Sequence, residues 1–427
     1  MTLPATLAEW LEYIERQHPQ AIALGLERVD VVRDRLALRP AFPIITVGGT
    51  NGKGSACMML DAMLDHAGYR VATYTSPHLL RYNERVRLAG HEATDADLVR
   101  GFAAVEQARA ASGVPLTYFE FGTLAAMWLF CECKVDVAVL EVGLGGRLDA
   151  VNAFDADVAL LMSIGLDHTE YLGATREAIG AEKAQIFRPG RPAICADAAP
   201  PATVIEHATR IGAQLLLIGR DFDYESQPLQ WRYRGPGGDR HGLPQPALRG
   251  HCQLANASAC ITALDTLRER LPVTAADIRS GLVRVENPGR FQVLPGRPAV
   301  ILDVAHNPHA AAALATNLVQ MTGYRNTLAV FSMLKDKDVV GVARALRGHI
   351  DHWLVAPVEG ARAMPVALLE QCLREAGVTA PITTCANIAE ACDRAYQMAG
   401  DGDRILAFGS FLVVAAAMAA VQTRRIS

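Results

Sequence analysis

The chain has 427 residues, 51% of them hydrophobic and 20% charged, with a formal net charge of -4. At about 100 to 200 residues per domain it is long enough for two domains, and it carries no global basic field for nucleic acid. Its nine cysteines, an odd number, form neither a CxxC pair nor a His-Cys ligand spacing, which fits a reduced cytoplasm best.

The opening MTLPATLAEWLEYIERQHP places Trp10, Tyr13 and Ile14 at helical spacing among charges and lacks the apolar centre of a signal peptide. Then comes the strand PIITVGG, followed by VGGTNGKGSA. Gly48 and Gly52 enclose three residues rather than the four of the usual phosphate loop, and Gly54 separates Lys53 from Ser55. A helix follows, with Ala56, Met59, Met63 and Ala67 on one face and Gly68 as its C-terminal stop. Strand, glycine loop and helix in that order predict phosphate binding: backbone N–H groups surround the phosphate oxygens and Lys53 adds a point charge.

The runs RVATYTS, VDVAVLEVG, DVALLMSIG and RPAICAD alternate with helical patterns such as EFGTLAAMWLFCEC. Alternation of this kind predicts a mostly parallel sheet covered by helices on both faces, with ligands at the carboxyl edge. Polar residues sit just past three strand runs: Ser76 and His78 flanking Pro77, Glu141 before GLGGRLD, and Asp167 with His168 in SIGLDHTEYLG. Ser76, Glu141 and His168 would together hold one hard cation, because Mg²⁺ favours oxygen ligands and keeps waters for phosphate contact. Lys183 in IGAEKAQIF reads on its own as a surface lysine beside Glu182.

Residues 233–246, YRGPGGDRHGLPQP, read as a hairpin or excursion. The prolines and glycines of VENPGRFQVLPGRPAV mark a linker at 289–298, between a domain at 1–288 and a smaller α/β domain at 299–427 that begins AVILDVAHNPHAAAALATNL. LAFGSFLVVAAAMAAV is short and broken by Gly409 and Ser410, so it reads as a buried strand leading into a buried helix rather than a membrane span.

In chain order LGLERV, GTNGKGS, TSPHL, YFEFGT, LEVGLGGRLDA, LDHTEYLG, EKA, PGRF, DVAHNPHA, SMLKDKD and GSF resemble the folylpolyglutamate synthase and dihydrofolate synthase branch of the Mur ligase superfamily over nearly the whole chain. In that family the phosphate loop is written GTNGKG, so the irregular spacing becomes a signature.

The resemblance implies a P-loop ATPase-like first domain and a Rossmann-like second one. It also implies that ATP is bound by Thr50, Asn51, Gly52, Lys53, Gly54 and Ser55, with Asn256, Arg290 and Asp303 at further nucleotide-contacting positions. Two Mg²⁺ sites would be held by Ser76, Glu141, His168 and Lys183, the last as a carbamate, and a monovalent cation such as K⁺ is a further expectation. Dihydropteroate or folate would meet Ala21, Ile22, Ala23, Leu24, Thr117, Tyr118, Phe119 and Leu148. L-glutamate would meet His306, Asn307 and Ser410, with Lys53, Lys183 and His306 as the catalytic residues.

The implied activity is ATP-dependent amide formation between L-glutamate and dihydropteroate or a reduced folate, through an acyl phosphate, in a cytoplasmic monomer. Alternatives are a folylpolyglutamate synthase only, a Mur-type cell-wall ligase, which LGLERV and YFEFGT oppose, and a non-ligating ATP-dependent switch, which the metal constellation opposes. Two positions depart from the family pattern: Gln185 in place of the glycine after EKA, and Val151 in place of the threonine of LDATN.

Overall fold

In a computed structural model the protein is described over residues 3–20 and 22–426, and every count refers to these. Internal packing divides the chain into two compact units. One comprises Met1–Ile164, Tyr171–Ala247 and Leu254–Val285; the other comprises Gly165–Glu170, Leu248–Gln253 and Glu286–Ser427.

The first unit is built on eight strands: β1 (Ile44–Gly48), β2 (Val71–Tyr74), β3 (Val86–Leu88), β4 (His91–Glu92), β5 (Val137–Glu141), β6 (Val158–Leu161), β7 (Pro192–Cys195) and β8 (Gln214–Leu217). Their spatial order is β4-β3-β2-β5-β1-β6-β7-β8, parallel except for β3 and β4 at one edge. β1, β2, β5 and β6 are buried at every position, which explains why they read as unbroken apolar runs rather than alternating ones. The register aligns Val47 with Glu141, Gly48 with Leu161 and Tyr74 with Leu140, so four chemistry-bearing loops leave the sheet at one level. The chain leaves β1 toward β2 and leaves β6 toward β7, in opposite directions across the sheet, and loops that diverge in this way open a crevice at the carboxyl edge.

The expected hairpin is present as part of a three-stranded antiparallel sheet of β9 (Asp223–Ser226), β10 (Gln230–Arg234) and β11 (Arg240–Pro244). It is anchored by Asp265, whose buried carboxylate accepts from Tyr233 Oη at 2.9 Å, from Gly237 N at 3.1 Å and from the Arg240 guanidinium.

The second unit carries six strands, β12 (Gln292–Leu294), β13 (Ala299–Asp303), β14 (Thr327–Phe331), β15 (His352–Val355), β16 (Ile382–Thr384) and β17 (Arg404–Phe408), in the order β12-β13-β17-β14-β15-β16. All pairings are parallel except that of β12, which the stretch expected as a linker supplies as an antiparallel edge. Phe331, Trp353 and Phe408 interlock at its centre, with ring centroids 4.8 to 6.0 Å apart. The apolar run near the C-terminus is β17 followed by the helix Phe411–Ile426, and among the described residues no helix is long and apolar enough to cross a membrane.

Removing one partner of a buried charge pair strands the other. Asp265→Ala is therefore expected to lower the unfolding free energy by about 3–5 kcal/mol in urea titrations. Asp239→Ala, which breaks only the exposed pair with Arg232, leaves the midpoint in place.

Candidate active site

β1 delivers the chain into Gly49, whose φ of +140° and whose approach to the following strand leave no room for a side chain. A Cβ there would lie 3.1 Å from Met162 Cβ and from the backbone nitrogens of Met162 and Ser163. The loop is stitched to the end of β6 by Thr50 N donating to Ser163 O at 2.6 Å and by a reciprocal pair between Asn51 and Ser163 Oγ at 3.0 Å. Gly52, left-handed at φ +88°, then opens the helix Lys53–His66 with no side-chain cap. Its first-turn N–H groups are the donors a phosphate needs. Buried Asn256 lies against the same loop: a Cβ on Gly52 would be 3.0 Å from Asn256 Oδ1.

Lys53 Nζ donates to Gly49 O at 3.0 Å and Thr50 O at 3.2 Å, and Lys183 Nζ donates to the same Gly49 O at 3.1 Å. Lys183 is not the surface lysine its local sequence suggests; it is only 5% exposed. It ends the helix Arg176–Lys183, capped by Thr175, and the Gly143–Gly146 loop holds that helix end closely. A Cβ on Gly146 would sit 2.8 Å from both Glu182 O and Lys183 O, which is why this loop needs glycine there. The two departures leave Lys183 untouched. Gln185 turns its side chain to His207, and Val151, buried in the core, donates its backbone N–H to Asp149 Oδ1 at 3.0 Å.

Glu141, 4% exposed at the end of β5, accepts from Ser76 N at 3.0 Å. Ser76, Glu141 and Lys183 thus belong to the first unit, whereas His168 belongs to the second. Among the described residues no three His, Cys, Asp or Glu side chains gather into a metal site by themselves. The expected ligand set depends on a serine and a modified lysine, donors of other kinds.

The expected acceptor segments also lie in the first unit, except that Ala21 falls outside the described residues. Arg28 ties two of them together, donating to Ala23 O at 2.7 Å and pairing with Glu120 at 2.7 Å. Thr117 and Glu120 form a capping box at the start of the helix Tyr118–Glu132. Phe119 presses on the glycine loop, its ring 2.6 Å from where a Cβ of Gly143 would be, while Leu148 lies half-buried further along that loop and Ile22 and Leu24 are exposed.

In the second unit Asp167 is the hub. It pairs with Lys337 at 2.6 Å, meets His306 Nε2 at 3.4 Å and accepts from Asn307 Nδ2 at 3.1 Å, while Lys337 Nζ also reaches His168 Nε2 at 3.3 Å. Burial alone would raise the Asp167 carboxyl, but the His306 hydrogen bond and the Lys337 charge hold it far below the usual carboxylate range. His306 is oriented from behind by Val304 O at 2.8 Å. Asn307 caps the helix Pro308–Gln320 through Ala310 N, and Ser410 caps the C-terminal helix through Val413 N.

Asp303 spends its two oxygens on Phe291 N and Ala305 N, each at 2.8 Å, and so orders the PGRF turn. The Arg290 guanidinium lies over the Phe411 ring at 4.8 Å. Asp167 and Lys337 were not among the assigned site residues, although both fall inside the motifs LDHTEYLG and SMLKDKD. A charged motif residue without a role was the available signal.

Asp149 orders the Gly143–Gly146 loop from below, accepting from Leu144 N at 2.8 Å. Burial pushes its carboxyl up to about 6, against these backbone hydrogen bonds and the Lys53 charge. A folded value above the unfolded one, about 3.9, means the folded chain binds more protons between the two. The contribution is fully present below the unfolded value and is lost as pH rises through the folded one. The stability of the protein relative to Asp149→Asn is therefore expected to fall by roughly 2 kcal/mol between pH 4 and pH 7 in urea titrations. A difference independent of pH would count against this role.

The Mur ligase middle-domain family matches residues 47–264, and the Mur ligase glutamate ligase domain matches residues 289–411. The dihydrofolate synthase/folylpolyglutamate synthase of Escherichia coli (strain K12) is 44% identical over 98% of this chain and 96% of its own. A structure of E. coli FolC in complex with DHPP and ADP superposes with a TM-score of 0.93 at 42% identity, covering 99% of both chains. A bifunctional folylpolyglutamate synthase/dihydrofolate synthase with Mn, AMPPNP and L-glutamate bound superposes with a TM-score of 0.89 at 43% identity, over 98% of both. With both domains matched in order and the likeness running the length of the chain, the protein belongs to the dihydrofolate synthase/folylpolyglutamate synthase family of Mur ligases.

Proposed function

We propose that the protein is an ATP-dependent ligase that adds L-glutamate to dihydropteroate, giving dihydrofolate, and to reduced folates, giving folylpolyglutamates. The observation that carries this reading is the pair of lysines on one loop carbonyl, Lys53 and Lys183 on Gly49 O, beside a buried Glu141. A plain turn has no use for two ammonium groups at a helix N-terminus. A site that gathers phosphates does.

A carboxylate is a poor electrophile, so the acceptor carboxyl takes the γ-phosphoryl group of ATP and becomes an acyl phosphate. Lys53 and the N–H groups of the helix Lys53–His66 stabilise the charge on the moving phosphate. The oxygen donors of Ser76 and Glu141 fit a hard cation such as Mg²⁺, which when bound neutralises phosphoryl charge. In this reading His168 would be a further ligand, and Lys183, buried and on the same loop carbonyl as Lys53, supplies the amine that is modified. Its neutral amine adds CO₂ and releases a proton to become a carbamate, an anionic group that would hold a second Mg²⁺.

The amino group of L-glutamate then attacks the activated carbonyl, phosphate leaves, and the amide remains. His306, held by Val304 O and Asp167, and Asn307 would orient the glutamate, with Ser410 capping the neighbouring helix start. A monovalent cation such as K⁺, a cytoplasmic location and a monomeric state complete the reading.

With ATP, Mg²⁺ and L-glutamate, the purified protein is expected to release phosphate and yield amide products of the correct mass from both dihydropteroate and tetrahydrofolate. Product from neither sinks the proposal, and product from tetrahydrofolate alone reduces it to the synthase of polyglutamates. Lys53→Ala is expected to lower kcat about 100-fold or more. Lys183→Ala is expected to lose activity comparably and to regain part of it with added formate or acetate; no recovery would count against the carbamate.

A further inference from the structure

Arg85 closes the turn Tyr82–Arg85 just before β3, and its own carbonyl accepts Thr75 N at 2.9 Å, which pins it beside the Ser76 segment. Its guanidinium is surrounded by neutral groups. Nε donates to His78 Nδ1 at 2.8 Å, so the imidazole accepts there and brings no charge of its own to that nitrogen. The guanidinium carbon lies 5.2 Å from the Tyr82 ring centre and 5.5 Å from that of Tyr118, on ring faces that favour a cation.

The adjacent carboxylate is committed elsewhere: Glu84 accepts from Leu79 N, Leu80 N and Arg81 N at 2.7 to 2.8 Å. Among the described residues no carboxylate lies within ion-pair distance of Arg85, whereas Arg28 is paired with Glu120 in the first turn of the helix Tyr118–Glu132. A planar fork that is oriented on one edge, packed against two rings and left without a counter-charge is preorganised for a carboxylate. Tyr118 belongs to the expected acceptor segment and His78 follows Ser76 by two residues, so this fork lies between the acceptor segment and the phosphoryl-transfer segment of one unit.

We propose that Arg85 is the anchor for a carboxylate of the acceptor substrate. The proposal rests on the ligase reading above. Acceptors offer two such carboxylates: the one to be activated, which is the only one in dihydropteroate, and the neighbouring α-carboxylate that folates gain with their first glutamate. The chemistry of recognition is the same for both, and the kinetics separate them.

The test compares the protein with its Arg85→Gln and Arg85→Lys forms, measuring kcat and KM for dihydropteroate, tetrahydrofolate, ATP and L-glutamate, with thermal midpoints to verify folding. Loss of one charge-assisted pair is expected to raise acceptor KM about 10- to 100-fold in Arg85→Gln, with ATP and L-glutamate KM within about twofold and partial recovery in Arg85→Lys. A rise with both acceptors assigns the fork to the carboxylate that is activated. A rise confined to tetrahydrofolate assigns it to the α-carboxylate.

In parallel, an acceptor analogue with its carboxyls esterified is expected to bind the protein and Arg85→Gln equally in calorimetry, which a merely structural arginine would not ensure. Should Arg85→Gln fail to fold, Arg85→Lys decides by the same KM comparison, because it keeps the charge while losing the planar fork. With the unaltered protein active, an unchanged acceptor KM, or a rise in ATP or L-glutamate KM instead, overturns the site. If the unaltered protein makes product from neither acceptor, it is the ligase reading that fails, which keeps the two failures distinct.

Discussion

The carbonyl oxygen of Gly49 receives both Lys53 and Lys183, and the first unit is arranged so that it can. Gly49 must be glycine because its backbone is pressed onto Met162 and Ser163 at a φ that side chains avoid. That closeness exists because β1 runs between β5 and β6, with Gly48 in register with Leu161 and Val47 in register with Glu141. A parallel sheet buried on both faces therefore supplies more than a core. It sets the heights at which a glycine loop, a buried glutamate and a lysine-bearing helix meet.

Buried and half-buried carboxylates do much of the remaining positioning. Asp149 in the first unit and Asp303 in the second play the same part: each follows or ends a strand run and uses its oxygens to hold backbone N–H groups of the next loop. Burying a carboxylate is costly unless it is hydrogen-bonded, and the hydrogen bonds that offset the cost also remove the freedom of the loop. Asp167 differs in drawing charged and polar side chains rather than backbone, so it fixes His306, Asn307 and Lys337 relative to one another. The chemistry-bearing groups are thus oriented by acids that need take no part in the reaction themselves.

Much of this was readable from local pattern. The glycine loop, the strand runs, the hairpin near 233–246 and the terminal strand and helix all follow from periodicity and from the residues that punctuate it. Other features were not readable. Lys183 looks like any surface lysine beside a glutamate, and only the tertiary packing of the Gly143–Gly146 loop shows it buried. The mark of Asp167 and Lys337 is a pairing across 170 residues of sequence, and Arg85 is defined by what does not stand next to it.

By itself the sequence determined the elements, their alternation and the family, because backbone geometry is encoded by neighbours three, four or two residues apart and the motifs follow in family order. The tertiary structure alone decided which charges are paired, which are buried and which face only neutral partners. Those properties depend on the distances and desolvation of groups far apart along the chain, and no local spacing contains them.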